Sequence, residues 1–234
     1  MKTLQLPTTQ RRSLGLCYLA PASGAALVAF FLSASAVGAA TLFTSATSTA
    51  GKFVDNWSTG TQFTTGSNDI SVTQIGYVDW NSSDSGFGDG FVGTPQVGIW
   101  QGSHGDVSPT NITTITFPTG TDAELIGDFR YVTLNTPITL LANTTYQIMG
   151  YGFNTDPTVH FTAGSSTVDP TLGLTGFRAE AHEGGLGFGS LDGNGAWGAG
   201  NIASSASFVG TVVPEPSAAL LGGLGLLALL RRRR

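Results

Sequence analysis

Three carboxylates and an amide crowd one glycine-bearing stretch, in which Asp79, Asn81, Asp84 and Asp89 alternate with Gly86, Gly88 and Gly90. Calcium takes about six to eight oxygens from a pliable loop, so Asp79, Asp84 and Asp89 make a candidate Ca2+ site. The spacing is not that of an EF-hand, and Asp beside Gly is also ordinary turn chemistry. Asp192 and Asn194 around Gly193 form a weaker candidate of the same kind. The histidines are His104, His160 and His182, and none are spaced as in H-x-H or H-E-x-x-H, so a zinc site would need the fold to assemble it. Gly193, Gly195 and Gly198 spell G-x-G-x-x-G without the strand before or helix after that a dinucleotide site requires; a surface loop is the expectation. No serine sits in G-x-S-x-G, so no nucleophile is singled out. A glycosidase needs two carboxylates roughly 5–9 Å apart, and a chain this acidic supplies such a pair by number alone. Trp57, Trp80, Trp100 and Trp197 are candidates for stacking on sugar rings, with core packing the alternative for Trp100.

The elements that must position these groups read as strands. Between residues 41 and 213 no stretch carries a 3.6-residue apolar period, whereas short runs of β-formers recur between turn residues. Strands are expected at 61–65, 69–79, 95–101, 111–117, 129–134, 145–153, 157–163, 175–181 and 205–213. Alternation is clearest where Tyr146, Ile148 and Gly150 face one way and Gln147, Met149 and Tyr151 the other. Within 69–79 the inward set moves from Ile70 and Val72 to Ile75 and Tyr77, which implies a bulge. Pro137 and Pro157 are expected at strand starts, where a missing N–H does least harm. The pattern is that of an all-β domain, a single antiparallel β-sandwich of jelly-roll or immunoglobulin type over residues 41–210. An N-terminal signal helix and a C-terminal transmembrane helix are expected to flank it.

Both flanks carry membrane signals. Lys2, Arg11 and Arg12 precede an apolar run at 25–32, then small residues, so residues 1–40 read as a signal peptide cut by signal peptidase after Ala39 or Ala40. Arg11 and Arg12 only partly fit a twin-arginine pattern, which favours the general export route. Cys17, the sole cysteine, falls inside this leader, which leaves the domain no thiol and no disulfide. At the other end, Pro214 and Pro216 stop any preceding element, and residues 217–230 are uncharged and rich in Ala and Leu. As a helix this span reaches about 20 Å, short of a hydrocarbon core of about 30 Å. Arg231, Arg232, Arg233 and Arg234 decide its character: they can snorkel at the interface, and carrying each across the bilayer centre would cost about 3 kcal/mol, so they stay cytoplasmic.

Pro214-Glu215-Pro216, the apolar span and the arginine tail together resemble the PEP-CTERM sorting signal of Gram-negative bacteria, here covering 211–234. The resemblance implies processing by an exosortase near Pro214, Glu215 and Pro216, which would be substrate residues and not catalytic ones. It also implies release to the outer surface or the polysaccharide matrix. Residues 69–153 resemble an exported bacterial β-sandwich domain of unknown function through Ile70–Tyr77, Gly88–Phe91, Gln96–Trp100, Phe129–Val132 and Pro137–Leu140. That family implies a β-sandwich and no established catalytic residues; 81–87 reads as an insertion in it.

Charge narrows the function classes. The middle of the chain holds three cations, Lys52, Arg130 and Arg178, against fourteen acids, a net charge of −11. Nucleic acid, which demands a basic footprint, is excluded as a partner. Asn56, Asn81, Asn111 and Asn143 open N-x-[ST] sequons, which a bacterial signal makes incidental. The expectation is a non-enzymatic, exported surface or exopolysaccharide-associated protein, tethered through its C-terminal helix in the periplasm and then processed. The alternatives are a carbohydrate-binding or carbohydrate-active protein on the same sandwich, and a protein that keeps its anchor.

Overall fold

The computed structural model describes residues 38–43, 45, 52–53, 56–80, 87–152, 155–156, 158–159, 168–190, 198–199, 202–214, 222–223, 225, 229 and 231. They form two antiparallel sheets. One runs β1 (Ala40–Thr41), β13 (Ala206–Val213), β4 (Asp69–Val78), β8 (Phe129–Leu140), β7 (Glu124–Ile126). The other runs β12 (Gly198–Ala199), β11 (Thr175–Glu183), β3 (Trp57–Thr64), β9 (Thr145–Tyr151), β5 (Gln96–Gln101), β6 (Thr110–Thr116). A separate ribbon pairs β2 (Lys52–Phe53) with β10 (Thr158–Val159). Among the described residues the helical content between the strands is one 3-10 turn, Pro170–Leu172, capped by Asp169. The expected antiparallel sandwich is therefore what forms. The signal helix lies outside the described residues, as does most of 217–230, of which Gly222, Gly223, Gly225 and Leu229 are helical. Among the described residues no helix is long and apolar enough to cross a membrane.

Alternation builds the core. Ile70, Val72, Ile75, Tyr77 and Phe208 of the first sheet, and Phe63, Tyr146, Ile148, Val97 and Ile99 of the second, are fully buried or nearly so. Phe63 reaches across to Phe208, ring centroids 5.7 Å apart, and touches Tyr146 within its own sheet. β3 also turns threonines inward: Thr61 Oγ1 donates to the Ala203 carbonyl and accepts from the Ala203 N–H, both at 2.9 Å. Thr59 meets Ser205 in the same way through their hydroxyls. Thr61 thereby satisfies both backbone groups of Ala203, in the segment that leads into β13, while Thr59 satisfies a buried hydroxyl there.

The expected bulge is at Thr73. Val209 and Gly210 of β13 pair with Gln74 and Val72, so Thr73 is the extra residue. On the other side the register of β8 jumps from Thr133 to Ile138 across the same point. Pro137 falls inside that jump, in the middle of β8 and not at a strand start; no ladder bond to β4 is asked of it there. Pro157 lies outside the described residues. β3 begins at Trp57, four residues before its expected start, and runs through Gly60 because a Cβ there would strike the Ile148 carbonyl oxygen of β9. Replacing Gly60 with alanine should destabilise the domain by about 1–3 kcal/mol, read as a lowered urea midpoint with an unchanged slope.

Candidate functional site

The acidic loop folds inward. Asp79, fully buried, accepts from Arg130 Nε at 2.5 Å and from the Gly90 N–H at 3.1 Å. Arg130 spends its other nitrogens on the carbonyls of Ala123 (2.9 Å), Thr121 (3.3 Å) and Gly88 (3.2 Å). Asp89 is exposed and Asp84 lies outside the described residues. The calcium expectation thus loses Asp79, which is neutralised from within; among the described residues no group of three or more His, Cys, Asp or Glu is placed to hold a metal. Burial raises the Asp79 pKa more than Arg130 and the Gly90 N–H lower it. A carboxyl with a raised folded pKa contributes stability that is complete below its unfolded value and is lost as pH rises through the folded one. Asp79→Asn should therefore flatten the pH dependence of unfolding in the carboxylate range. Arg130→Ala, which strands the carboxylate, should cost about 3–5 kcal/mol by urea denaturation.

A second polar cluster lies on the outer face of the second sheet. Arg178, Glu180 and His182 alternate along β11 on the side away from Ala179 and Ala181. Glu180 is nonetheless fully buried, because residues 184–190 lie across it. Gln147 fastens this strap at both amide positions, donating to the Gly189 carbonyl (3.0 Å) and accepting from its N–H (2.9 Å). Ser58 accepts from the Gly187 N–H at 3.3 Å. A Cβ on Gly189 would sit 2.5 Å from Glu180 Cβ, and one on Gly187 would strike the His182 ring. Gly187 and Gly189 are thus the condition for a backbone laid directly on a sheet, while Gly193 and Gly195 of the expected surface loop lie outside the described residues.

Glu180 joins two loops. Its Oε2 meets His104 Nδ1 at 2.8 Å, and its Oε1 lies 3.0 Å from Arg178 Nε. The His104 N–H donates to Gln62 Oε1 at 2.6 Å. Burial raises the Glu180 pKa against the opposing pull of His104 and Arg178. Beside this trio opens a cavity of about 580 Å3, walled by Gln62, Ser103, His104 and Arg178 with Phe177 and Ile202. Sequence reading named His104 but missed Glu180 and Arg178, although their alternation with Ala179 and Ala181 was the available signal. His160 lies outside the described residues. Trp80 packs on Phe87 at 5.0 Å and Trp100 lies over Gly98, so both rings serve internal contacts; Trp197 lies outside the described residues.

The two ends of the domain meet. Ala40 pairs with Gly210 and Thr41 with Val209, while Val213 pairs with Asp69. Gly38 and Ala39 are exposed; Ala40 is buried, followed by the buried Leu42 and Phe43. Because β1 is antiparallel to β13, the chain preceding Ala40 and the chain following Val213 leave at the same end of the sheet. Pro214 is exposed there, Glu215, Pro216 and Arg232–Arg234 lie outside the described residues, and Arg231 is exposed and helical.

Residues 212–234 match the family model of the PEP-CTERM protein-sorting motif. The chain carries a PEP-CTERM sorting signal. No curated protein and no solved structure matches it. The motif marks an exported protein, processed at a membrane by an exosortase. Its first two residues, Val212 and Val213, are the closing rungs of β13, so the PEP-CTERM signal starts within the fold with no linker between. The sandwich extends past the expected boundary at 210, and begins at Ala40, one residue before its expected start. Gly189→Val should lift the strap from this domain and raise hydrogen exchange at residues 184–190, leaving β4 and β13 protected.

Proposed function

We propose that this PEP-CTERM protein is a non-enzymatic component of the cell surface or extracellular matrix, delivered as a finished β-sandwich and separated from its tail after export. The observation that carries the reading is the direct passage of β13 into the sorting motif. Cutting at or after Pro214 leaves every rung from Ala206 to Val213 in place, whereas a cut before Val212 would strip two rungs from β4. At the other end the burial of Ala40 supports a signal-peptidase cut after Ala39, since a cut after Ala40 would remove a paired, buried residue. Exosortase and signal peptidase then act at neighbouring strand ends. Residues 217–230 with Arg231–Arg234 hold the precursor at the bilayer, domain in the periplasm and arginines in the cytosol.

The second reading, a carbohydrate-binding module, is supported by the cavity beside Arg178 and His104. Among the described residues that line it there is no facing carboxylate pair of the kind glycoside hydrolysis uses; one buried carboxylate, Glu180, lies behind Arg178 and His104.

Intact-mass analysis of the protein from its native host should give a chain beginning at Ala40 and ending near Pro214–Pro216. Recovery of the folded domain in the cytosol with both ends retained would overturn the proposal. Replacing Pro214, Glu215 and Pro216 together with alanine should trap the unshortened form, and replacing Arg231–Arg234 with serine should weaken membrane retention in fractionation.

A further inference from the structure

We propose that the cavity between the start of β11 and the loop at Ser103 and His104 binds a ring-sized carboxylate, a sugar acid. The inference names the ligand class for the carbohydrate-binding reading above and rests on it. Its first support is the distribution of charge. The middle of the chain carries fourteen acids and only three Lys or Arg. Of those three, Arg130 is sealed against Asp79. Arg178 instead lines the cavity with a fifth of its side chain exposed, and His104 lines the same cavity. Glu180 balances part of that charge from behind, so what the cavity offers an anion on so acidic a surface is the hydrogen-bond donors of a guanidinium and an imidazole.

The second support is that the cavity is built by the backbone. β11 pairs with β3 at Thr175 and again at Arg178, and the register shifts between them. Gly176 takes a φ of 64°, a conformation that L side chains rarely adopt. The bulge carries Gly176 and Phe177 out of the ladder and leaves room where paired residues would close it. The third support is the division of the walls: Gln62, Ser103, His104 and Arg178 are polar, while Phe177 and Ile202 offer an apolar surface for the C–H face of a ring. At about 580 Å3 the volume lies in the range of small-molecule sites. Glu180 is a positioning residue: fully buried under the strap, it holds Arg178 and His104 from behind.

The test is titration calorimetry of the full-length protein in detergent with glucuronic acid, and with glucose as the neutral control. Glucuronic acid should bind and glucose should bind at least tenfold more weakly. Arg178→Gln should weaken glucuronic acid binding by about tenfold or more, the loss expected for one charge-assisted contact, with Arg178→Lys in between. His104→Gln provides an independent variant should Arg178→Gln unfold, and near-ultraviolet circular dichroism reports folding for each. Equal binding of the two sugars, no binding of glucuronic acid, or undiminished binding by a folded Arg178→Gln variant would each overturn the proposal. Co-sedimentation with the host's extracellular polysaccharide separates the two claims. Wild-type protein that sediments regardless of glucuronic acid leaves the matrix reading standing and removes the cavity from it. Protein that does not sediment removes the matrix reading itself.

Discussion

Antiparallel pairing of β13 between β1 and β4 is the constraint on which the rest of the domain depends. The β4–β13 ladder runs from Ala206 opposite Tyr77 to Val213 opposite Asp69, broken only at Thr73. It sets Phe208 against Phe63 across the sandwich and gives β1 the only edge it pairs with. Without it, Ile70, Val72 and Ile75 would lose a neighbour along one side, and the inward threonines of β3 would face no partners. The sorting motif overlaps this ladder, so the segment that addresses the protein to the membrane also supplies its last two rungs.

Buried charge is the second theme, and two of its instances, at Asp79 and at Glu180, are fasteners. Asp79 and Arg130 tie the acidic loop and the backbone at 121–123 to the end of the first sheet. Glu180 ties the turn at His104 to the face of the second, beneath the strap that Gln147 and Ser58 hold. In each, desolvation outweighs the neighbouring cation in setting the carboxyl's pKa, so neither pair is a simple gain in stability. What they supply is position: long loops without secondary structure are held to a sheet by a charge that has nowhere else to go.

Local pattern made much of this legible. Alternation in Tyr146–Tyr151 told the faces of β9 apart, and the displaced inward set of 69–79 located the bulge that Thr73 occupies. The membrane character of the tail was read from its charge, apolar span and proline placement, and its sorting role from its resemblance to the PEP-CTERM signal. The failures share a cause, which is that distance along the chain hides contact. The strand was expected to start only after Gly60, because the Ile148 carbonyl that demands a glycine there is far away in sequence. Asp79 looked like a metal ligand because Arg130 lies 51 residues on, and Glu180 drew no notice because His104 lies 76 residues before it. Pro137 looked like a strand start because a register jump in the middle of a strand leaves no mark on its own sequence.

The separation between β4 and its partner bears on how the molecule is made. Thr73 and Val209, which touch through a hydroxyl and a carbonyl, are 136 residues apart. A polypeptide threaded amino end first through a translocation channel delivers β4 long before β13. Until then the hydrogen-bonding edge of β4 has no strand of its own to accept. Native structure is thereby deferred until export has nearly finished with the chain, which keeps the substrate loose enough to be threaded and leaves it exposed to aggregation in the interval.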